Sequence, residues 1–264
     1  MHVRAARPDD EDYQAFARVW DQLDIDAPVP PFAHWADQLC PNTIFLEEDG
    51  ALAAYSLSFA FGARGDVRQV VVDRPFRGRG VGKRLMAAVA DKLRAAGCTE
   101  WRLETKADNA PALALYRAIG MEIHHAIEAV RMGRDERARF AATRSGRYQV
   151  VEATPADDRD LEASLDLGTG QIARWRRARA GSPLMRVGVA GLTQLWSTFS
   201  PERGLLFPFL ATEVDVAAHL MAAALDGPEV WEVCVVSPEV HAAVLAVGAR
   251  QVDQQVELAG KISR

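Results

Sequence analysis

The feature that most constrains this chain is a glycine-rich stretch between an apolar strand pattern and an amphipathic helix pattern. The triplet Val70-Val71-Val72 predicts a strand, and residues 77–83 after it carry three alternating glycines. A helix is predicted over residues 81–96, because its apolar residues form one stripe and Gly97 supplies a stop. A glycine loop that opens a helix predicts a concave anion site, best suited to a phosphate or pyrophosphate.

Two common phosphate-binding patterns do not fit this loop. A P-loop requires four residues between its glycines and a following Lys-Ser/Thr, but three residues separate Gly78 from Gly82, and Arg84 replaces the hydroxyl. A dinucleotide-binding fold requires a third glycine where Lys83 stands. A glycine turn without a ligand is the plain alternative, and it is disfavoured because alternating glycines are costly to order.

Length, charge and cysteine content limit the other function classes. The 264 residues allow one large domain or two small ones, and the net charge of -5 disfavours nucleic acid as a partner. Neither a signal-peptide core nor an apolar run of about 18 residues is present, so we expect a cytoplasmic protein without a membrane partner. Cys40, Cys98 and Cys234 are too far apart for a disulfide framework or a metal motif.

The order of predicted elements indicates an α/β (α+β) fold, with a mixed central sheet flanked by helices. Residues 134–147 are rich in charge and predict a linker or an exposed connecting helix. Landmarks of the first half return in order in the second half, which predicts a degenerate duplication with domains 1–133 and 148–264. The paired landmarks are Val3 with Val150, Pro75-Phe76 with Pro208-Phe209, Leu85-Met86 with Leu220-Met221, Trp101 with Trp231, and Gly120 with Gly248.

Two segments of the first half resemble the motifs of the GCN5-related N-acetyltransferase (GNAT) superfamily. Arg77-Gly78-Arg79-Gly80-Val81-Gly82 is similar to its Arg/Gln-x-x-Gly-x-Gly/Ala motif. Residues 109–121 are similar to its Asn-x-x-Ala-x-x-Leu-Tyr-x-x-x-Gly-Phe motif, with Met121 in place of the phenylalanine. The resemblance covers about residues 3–132. It implies a GNAT fold and an N-acetyltransferase that uses acetyl-CoA as co-substrate and needs no metal.

The resemblance also implies roles for individual residues. The edge of Val70, Val71 and Val72 would pair with the pantetheine arm, and the Val72 N–H would stabilise the oxyanion. Asn109 would hydrogen-bond the pantetheine, and Tyr116 would protonate the leaving thiolate; a helix cap and a core aromatic residue are their structural alternatives. The residues expected to hold the pyrophosphate are Arg77, Gly78, Arg79, Gly80, Val81, Gly82 and Lys83.

The general base and the acceptor site are less well defined by the sequence. Asp66 is the candidate catalytic base, on the same strand face as Arg68 and Val70 if the side chains alternate. A turn role for Asp66 and a water relay to Glu104 are the alternatives. Acidic and aromatic residues after the first helix suit a cationic small-molecule amine, although a solvated acidic loop has the same composition. These residues are Asp21, Asp24, Asp26, Phe32, His34 and Trp35.

The second half is not expected to bind coenzyme A. Residues 210–213 lack glycine, and Glu213 brings negative charge to the place of the anion site. His124 and His125 are adjacent on a predicted strand, so they are expected to point to opposite faces and not to chelate a metal together. The leading hypothesis is direct acyl transfer to an amine by a monomer or homodimer. A non-catalytic acyl-CoA sensor and an oxygen or thiol acceptor are the alternatives.

Overall fold

The computed structural model describes residues 1–23, 28–179, 181–197 and 203–262, and its chain divides into two compact units. Unit 1 comprises residues 1–105, 109–122 and 258–264, and unit 2 comprises residues 106–108 and 123–257. This division differs from the predicted continuous domains 1–133 and 148–264. The reason is that the strand after residue 122 belongs to unit 2, whereas the C-terminal residues belong to unit 1.

Unit 1 is built on a mixed sheet whose first four strands are antiparallel neighbours in chain order. The second and third strands form a hairpin in which Asp49 and Gly50 both adopt positive φ, of 52° and 80°, as a tight turn between twisted strands requires. The elements of unit 1 are β1 His2–Ala5, α1 Asp10–Trp20, α2 Phe32–His34, β2 Thr43–Glu48, β3 Ala51–Phe61, β4 Arg64–Val72, α3 Val81–Ala95, β5 Glu100–Lys106 and α4 Ala110–Arg117.

Unit 2 follows the same plan with a second set of elements. Its elements are β6 Glu122–Gly133, α5 Arg134–Ala141, β7 Val151–Glu152, α6 Asp158–Ser164, α7 Gln171–Ala178, β8 Leu184–Val187, β9 Gly191–Ser197, β10 Arg203–Ala211, α8 Val214–Ala222, β11 Val230–Val235, α9 Pro238–Ala246 and β12 Arg250–Lys261.

The strand pairings confirm the predicted duplication of the fold. Strands β7 to β10 are antiparallel neighbours like β1 to β4, and β10 pairs with β11 in parallel, as β4 does with β5. The last strand of each unit comes from the other half of the chain. β6 follows α4 of unit 1 but pairs with β11 of unit 2, whereas the last residues of β12 lie beside β5 of unit 1. Residues 258–261 therefore complete the sheet of unit 1.

The tryptophan and glycine landmarks occupy equivalent positions in the two units, and the Leu-Met pairs are both buried in the helices α3 and α8, which follow β4 and β10. Trp101 and Trp231 are the second residues of β5 and β11, and Gly120 and Gly248 follow α4 and α9 with φ of 84° and 99°. The proline pair is the exception, because residues 75–76 lie in a 3₁₀ turn after β4, whereas residues 208–209 lie inside β10.

The predicted linker contains a packed helix and is not exposed throughout. Helix α5 buries the side chain of Arg137 completely, together with Phe140 in the core of unit 2. Arg137 Nη1 donates to the carbonyl oxygens of Met132 and Glu229, at 3.1 and 3.0 Å. Arg137 Nη2 also donates to Pro228 O at 2.9 Å, whereas Nε has no hydrogen-bond partner, so these bonds replace a large part of the hydration that burial removes.

The core of unit 1 lies between α1, the turn around Trp35 and the first strands of the sheet. Its largest buried side chains are aromatic: Phe16, Trp35, Phe45 and Tyr55. None of the three cysteines forms a disulfide. No helix among the described residues is long and apolar enough to cross a membrane, and the cytoplasmic location stays a prediction.

Candidate active site

The glycine loop between β4 and α3 has the backbone shape that the sequence predicts. Gly78 and Gly80 adopt φ of 73° and 76°, which L side chains rarely adopt, and a Cβ at either residue would meet no protein atom within 4 Å. Gly80 is the N-cap of α3 and contributes no side-chain cap. The first N–H groups of α3 therefore have no side-chain acceptor at the N-cap, at the helix end that carries partial positive charge.

Gly82 serves a different purpose, because it lies inside α3 where other elements approach. A Cβ at Gly82 would come within 3.1 Å of Leu115 on α4 and 3.7 Å of Val72 at the end of β4. The absence of a side chain lets α4 pack against the start of α3. The loop, the end of β4 and α4 therefore converge at Gly82.

Strands β4 and β5 separate part-way along their length. Their parallel pairing runs from Arg64 opposite Glu100 to Val67 opposite Leu103 and ends there. β4 continues as far as Val72, paired with β3 on its other side. The register with β3 shifts between Val67 and Gln69, so Arg68 forms a bulge where the two parallel strands part.

The free edge of β4 presents backbone groups to an extended ligand. Asp73 N–H donates to Ala53 O of β3 at 3.0 Å, and alternate strand residues bond to opposite sides. The N–H groups of Val70 and Val72 therefore face the open side. Val71 is buried and faces β3, so its expected contact with the pantetheine arm is not a backbone hydrogen bond.

Side chains that sequence reasoning missed hold the loop in place. Gln22 Oε1 accepts from Arg74 N–H at 3.1 Å and from Arg77 Nη2 at 3.0 Å. The buried carboxylate of Asp73 accepts from Gln22 Nε2 at 2.8 Å and from Arg18 Nη1 at 2.5 Å. Burial would raise the pKa of Asp73, but these hydrogen bonds outweigh it and lower that pKa below its usual range.

The three basic side chains of the loop have different surroundings. Arg77 Nε donates to Val72 O at 2.9 Å, so this guanidinium fixes the turn from strand to loop. Arg79 pairs with Glu48 at 2.7 Å, and its guanidinium lies 5.5 Å from the centroid of the Phe76 ring. Lys83 is exposed on the first turn of α3. Lys83 is therefore the side chain best placed to add positive charge to the open helix end.

Helix α4 carries the two remaining candidate residues. Asn109 is its N-cap: Oδ1 accepts from Ala112 N–H at 3.3 Å, and Nδ2 lies 3.4 Å from Thr105 Oγ1. The capping alternative is thus confirmed, and the Asn109 side chain remains exposed. The side chain of Tyr116 is only 6% exposed, and burial raises its pKa to about 12.

The first half matches the family model described as the acetyltransferase (GNAT) family over residues 10–121. An N-alpha-acetyltransferase RimI from Mycobacterium tuberculosis is 32% identical over 118 residues, which span 42% of this chain and 73% of that relative. The chain belongs to the GNAT family. The mycothiol acetyltransferase of Clavibacter michiganensis is 44% identical over 71 residues, but this match spans only 27% of the chain and 23% of that relative.

Solved structures match the GNAT chain over its whole length. A putative acetyltransferase from Pyrococcus horikoshii has a TM-score of 0.72 and 14% identity, with 100% of this chain and 89% of that chain covered. A tandem GNAT protein from the clavulanic acid biosynthesis pathway has a TM-score of 0.63 and 16% identity, with 100% and 99% covered. These similarities support a duplicated GNAT fold.

Asp66, the candidate base, forms an ion pair with the neighbouring Arg68. Its carboxylate is 2.9 Å from Arg68 Nε, and Glu104 Oε2 is 4.0 Å from Arg68 Nη1. The bulge at Arg68 interrupts the strict alternation that would place Asp66 and Val70 on one face. Glu104 follows the last residue of β5 that pairs with β4, so it stands at the point where the strands part.

The structure describes only some of the residues that are expected to contact the acceptor. Phe32 and His34 are exposed, whereas Trp35 is completely buried and contacts the rings of Tyr13 and Phe16. Trp35 is therefore a core residue, and its expected contact with a cationic acceptor is wrong. Asp24 and Asp26 lie outside the described residues, and of Asp21 only the backbone is described.

Unit 2 has the separated strands but no anion loop. The parallel pairing of β10 with β11 ends at Leu206 and Val233. Only residues 212 and 213 separate β10 from α8, whereas residues 73–80 separate β4 from α3. The N-cap of α8 is Glu213, a carboxylate residue. The expectation of a degenerate second site agrees with this short, acidic connection.

The expectation for His124 and His125 is wrong. Ligand atoms of these two imidazoles and of Glu257 all lie within 4.8 Å of one another, and the two rings are 5.1 Å apart. The pairing of β6 with β11 begins only at Glu128, so the histidines lie on an unpaired length of that strand edge. Both side chains can therefore turn toward β12.

Proposed function

We propose that this GNAT chain transfers an acetyl group from acetyl-CoA to the amine of a small, cationic acceptor. The observation that carries the proposal is the free edge of β4, which leads directly into the glycine loop and the uncapped N-terminus of α3. An edge that pairs with an extended arm and a cradle that binds an anion are the two features a coenzyme A thioester requires.

The reaction needs no covalent enzyme intermediate. The amine nitrogen attacks the thioester carbon, the C–N bond forms and the C–S bond breaks. The neutral amine gives up one proton as it attacks, and the departing thiolate takes one proton from water, so atoms and charge balance. The pantetheine arm extends from the loop along β4, so the thioester lies nearer Val70 than Val72. We therefore assign the oxyanion hydrogen bond to the Val70 N–H, which faces the open edge, in place of Val72.

Tyr116 supplies a hydrogen bond to the departing sulfur. A phenol with a pKa of about 12 stays protonated at neutral pH, and so it is available as a donor when negative charge develops on the thiolate. The nitrogen proton passes through water to the two carboxylates beside Arg68. Asp66 and Glu104 are both candidates for this step. The pH dependence of kcat in the variants Asp66→Asn and Glu104→Gln tests which of the two carboxylates accepts the proton.

The acceptor class is tested by release of free thiol from acetyl-CoA. The panel contains small cationic amines and peptides that begin with alanine, because the relatives include N-alpha-acetyltransferases and an alanine N-acetyltransferase of ribosomal protein bS18. We expect release with small cationic amines. Tight acetyl-CoA binding without release on any amine would instead favour the acyl-CoA sensor.

The role of the loop is tested by one variant and a matched control. Gly80→Ala and Gly50→Ala each force alanine into φ near 80° with no clash, so both should lose about 1 kcal/mol of stability. Only Gly80→Ala should also raise the Kd for acetyl-CoA, by about tenfold, because its methyl group enters the anion cradle. An equal Kd for the two variants would exclude the loop as the binding site.

A further inference from the structure

A cluster of two histidines and two carboxylates in unit 2 has no part in the acetyl-transfer site. His124 Nε2 lies 3.9 Å from Asp166 Oδ2, and His125 Nδ1 lies 3.7 Å from Glu257 Oε1. The two imidazole rings contact each other edge to face. Ligand atoms of His124 and His125 on β6 and of Glu257 on β12 all lie within 4.8 Å of one another, and Asp166, in the turn after α6, adjoins this group through His124.

We propose that these four side chains bind one zinc ion. Zn²⁺ takes four ligands at about 2.0–2.2 Å in a tetrahedron, which places ligand atoms roughly 3.3–3.5 Å apart. The two imidazole–carboxylate separations of 3.9 and 3.7 Å are slightly longer, and the ligand atoms of His124, His125 and Glu257 lie within 4.8 Å of one another, so side-chain rotations must draw the ligands together around an ion. His124 is 46% exposed and Asp166 is 59% exposed, which leaves both side chains room to move.

The ligand types select the class of ion. Imidazole nitrogen suits Zn²⁺ and its transition-metal neighbours, whereas Mg²⁺ and Ca²⁺ prefer oxygen ligands alone. A bound ion would cross-link the start of β6 to the end of β12, at Glu257, and to the turn that holds Asp166. Asp166 is positioned there by a backbone φ of 51°, a conformation that aspartate tolerates better than most residues.

The proposal is tested with untagged, metal-free protein and ZnCl₂ alone, by calorimetry and thermal unfolding. We expect one Zn²⁺ per chain and a higher unfolding temperature in the presence of Zn²⁺ but not of Mg²⁺. His124→Ala and Glu257→Gln should each weaken Zn²⁺ binding by about tenfold or more, because each removes a ligand or its charge. His2→Ala removes an exposed histidine elsewhere and is the matched control.

Cobalt provides a second measurement that does not depend on stability. Co²⁺ in the same tetrahedral site should give strong visible absorption in the wild type and in His2→Ala, and lose it in the double variant His124→Ala/His125→Ala. Circular dichroism verifies that the double variant is folded. Failure of the wild type to bind stoichiometric Zn²⁺, or unchanged binding in the double variant, would overturn the proposal.

Discussion

At the scale of single residues, the burial of Tyr116 determines what its hydroxyl group can do in the reaction. Its ring belongs to the packed face of α4, so the core-residue alternative is correct as a description of packing. The same burial raises the pKa of its hydroxyl to about 12. A tyrosine held in this way gives up its proton with difficulty and acts best as a hydrogen-bond donor.

Tyr116→Phe should therefore lower kcat by about 100-fold, within the usual range for loss of one hydrogen-bond donor to a developing negative charge, with little change in the KM for acetyl-CoA. The ring is retained, so the unfolding temperature should stay close to that of the wild type. Tyr148→Phe in unit 2 is the control. Steady-state kinetics at saturating amine measure the effect, and an unchanged kcat would remove Tyr116 from the chemistry.

At the scale of elements, Lys92 joins α3 to the sheet beneath it. Its Nζ donates to Ser58 O at 2.7 Å, to Ser58 Oγ at 3.0 Å and to Asn42 O at 2.5 Å. No carboxylate is among these partners, so burial is uncompensated by opposite charge and lowers the pKa of Lys92 to about 8. The helix that begins the anion site is thus anchored by a lysine that readily loses its charge.

This anchor predicts a dependence of stability on pH. The pKa of about 8 in the folded protein lies below the ordinary value of 10.5, so between these pH values the unfolded chain binds more protons. The free energy of unfolding should rise with pH across this window, by about 1 kcal/mol once partial solvent access is allowed for.

Urea unfolding at pH 7.5, 9 and 10 measures this change. The rise should be absent in Lys92→Met and present in Lys83→Met, which removes an exposed lysine from the same helix. The comparison cancels the titration of all other groups. A rise of the same size in Lys92→Met would show that another group causes it.

At the scale of the whole molecule, the sequence predicted the elements better than their partners. The loop glycines and the helix stop at Gly97 act locally, so the sequence encodes them directly. The exchange of β6 and β12 could not be predicted, because both strands have 12 residues and each follows an equivalent helix. A choice between two such strands depends on long-range packing that periodicity does not report.

The errors within the site have the same origin. The bulge at Arg68 moves Asp66 out of simple alternation, and the unpaired edge of β6 lets His124 and His125 approach the same carboxylate. The composition of the segment predicts that Trp35 contacts the acceptor, although the aromatic core of unit 1 encloses this residue. In each case, a strand partner or a packing neighbour far along the chain decides where the side chain goes.

The duplicated fold predicts one coenzyme A site per chain. In unit 2, Phe207 lies just past the last pair of β10 with β11, and its ring contacts Trp175 and the guanidinium of Arg179. Calorimetry with acetyl-CoA should give a stoichiometry of one. Gly80→Ala should weaken this binding, whereas Glu213→Ala, at the equivalent helix N-cap of unit 2, should leave it unchanged. Two equivalents bound per chain would mean that unit 2 has kept a coenzyme site without a glycine loop.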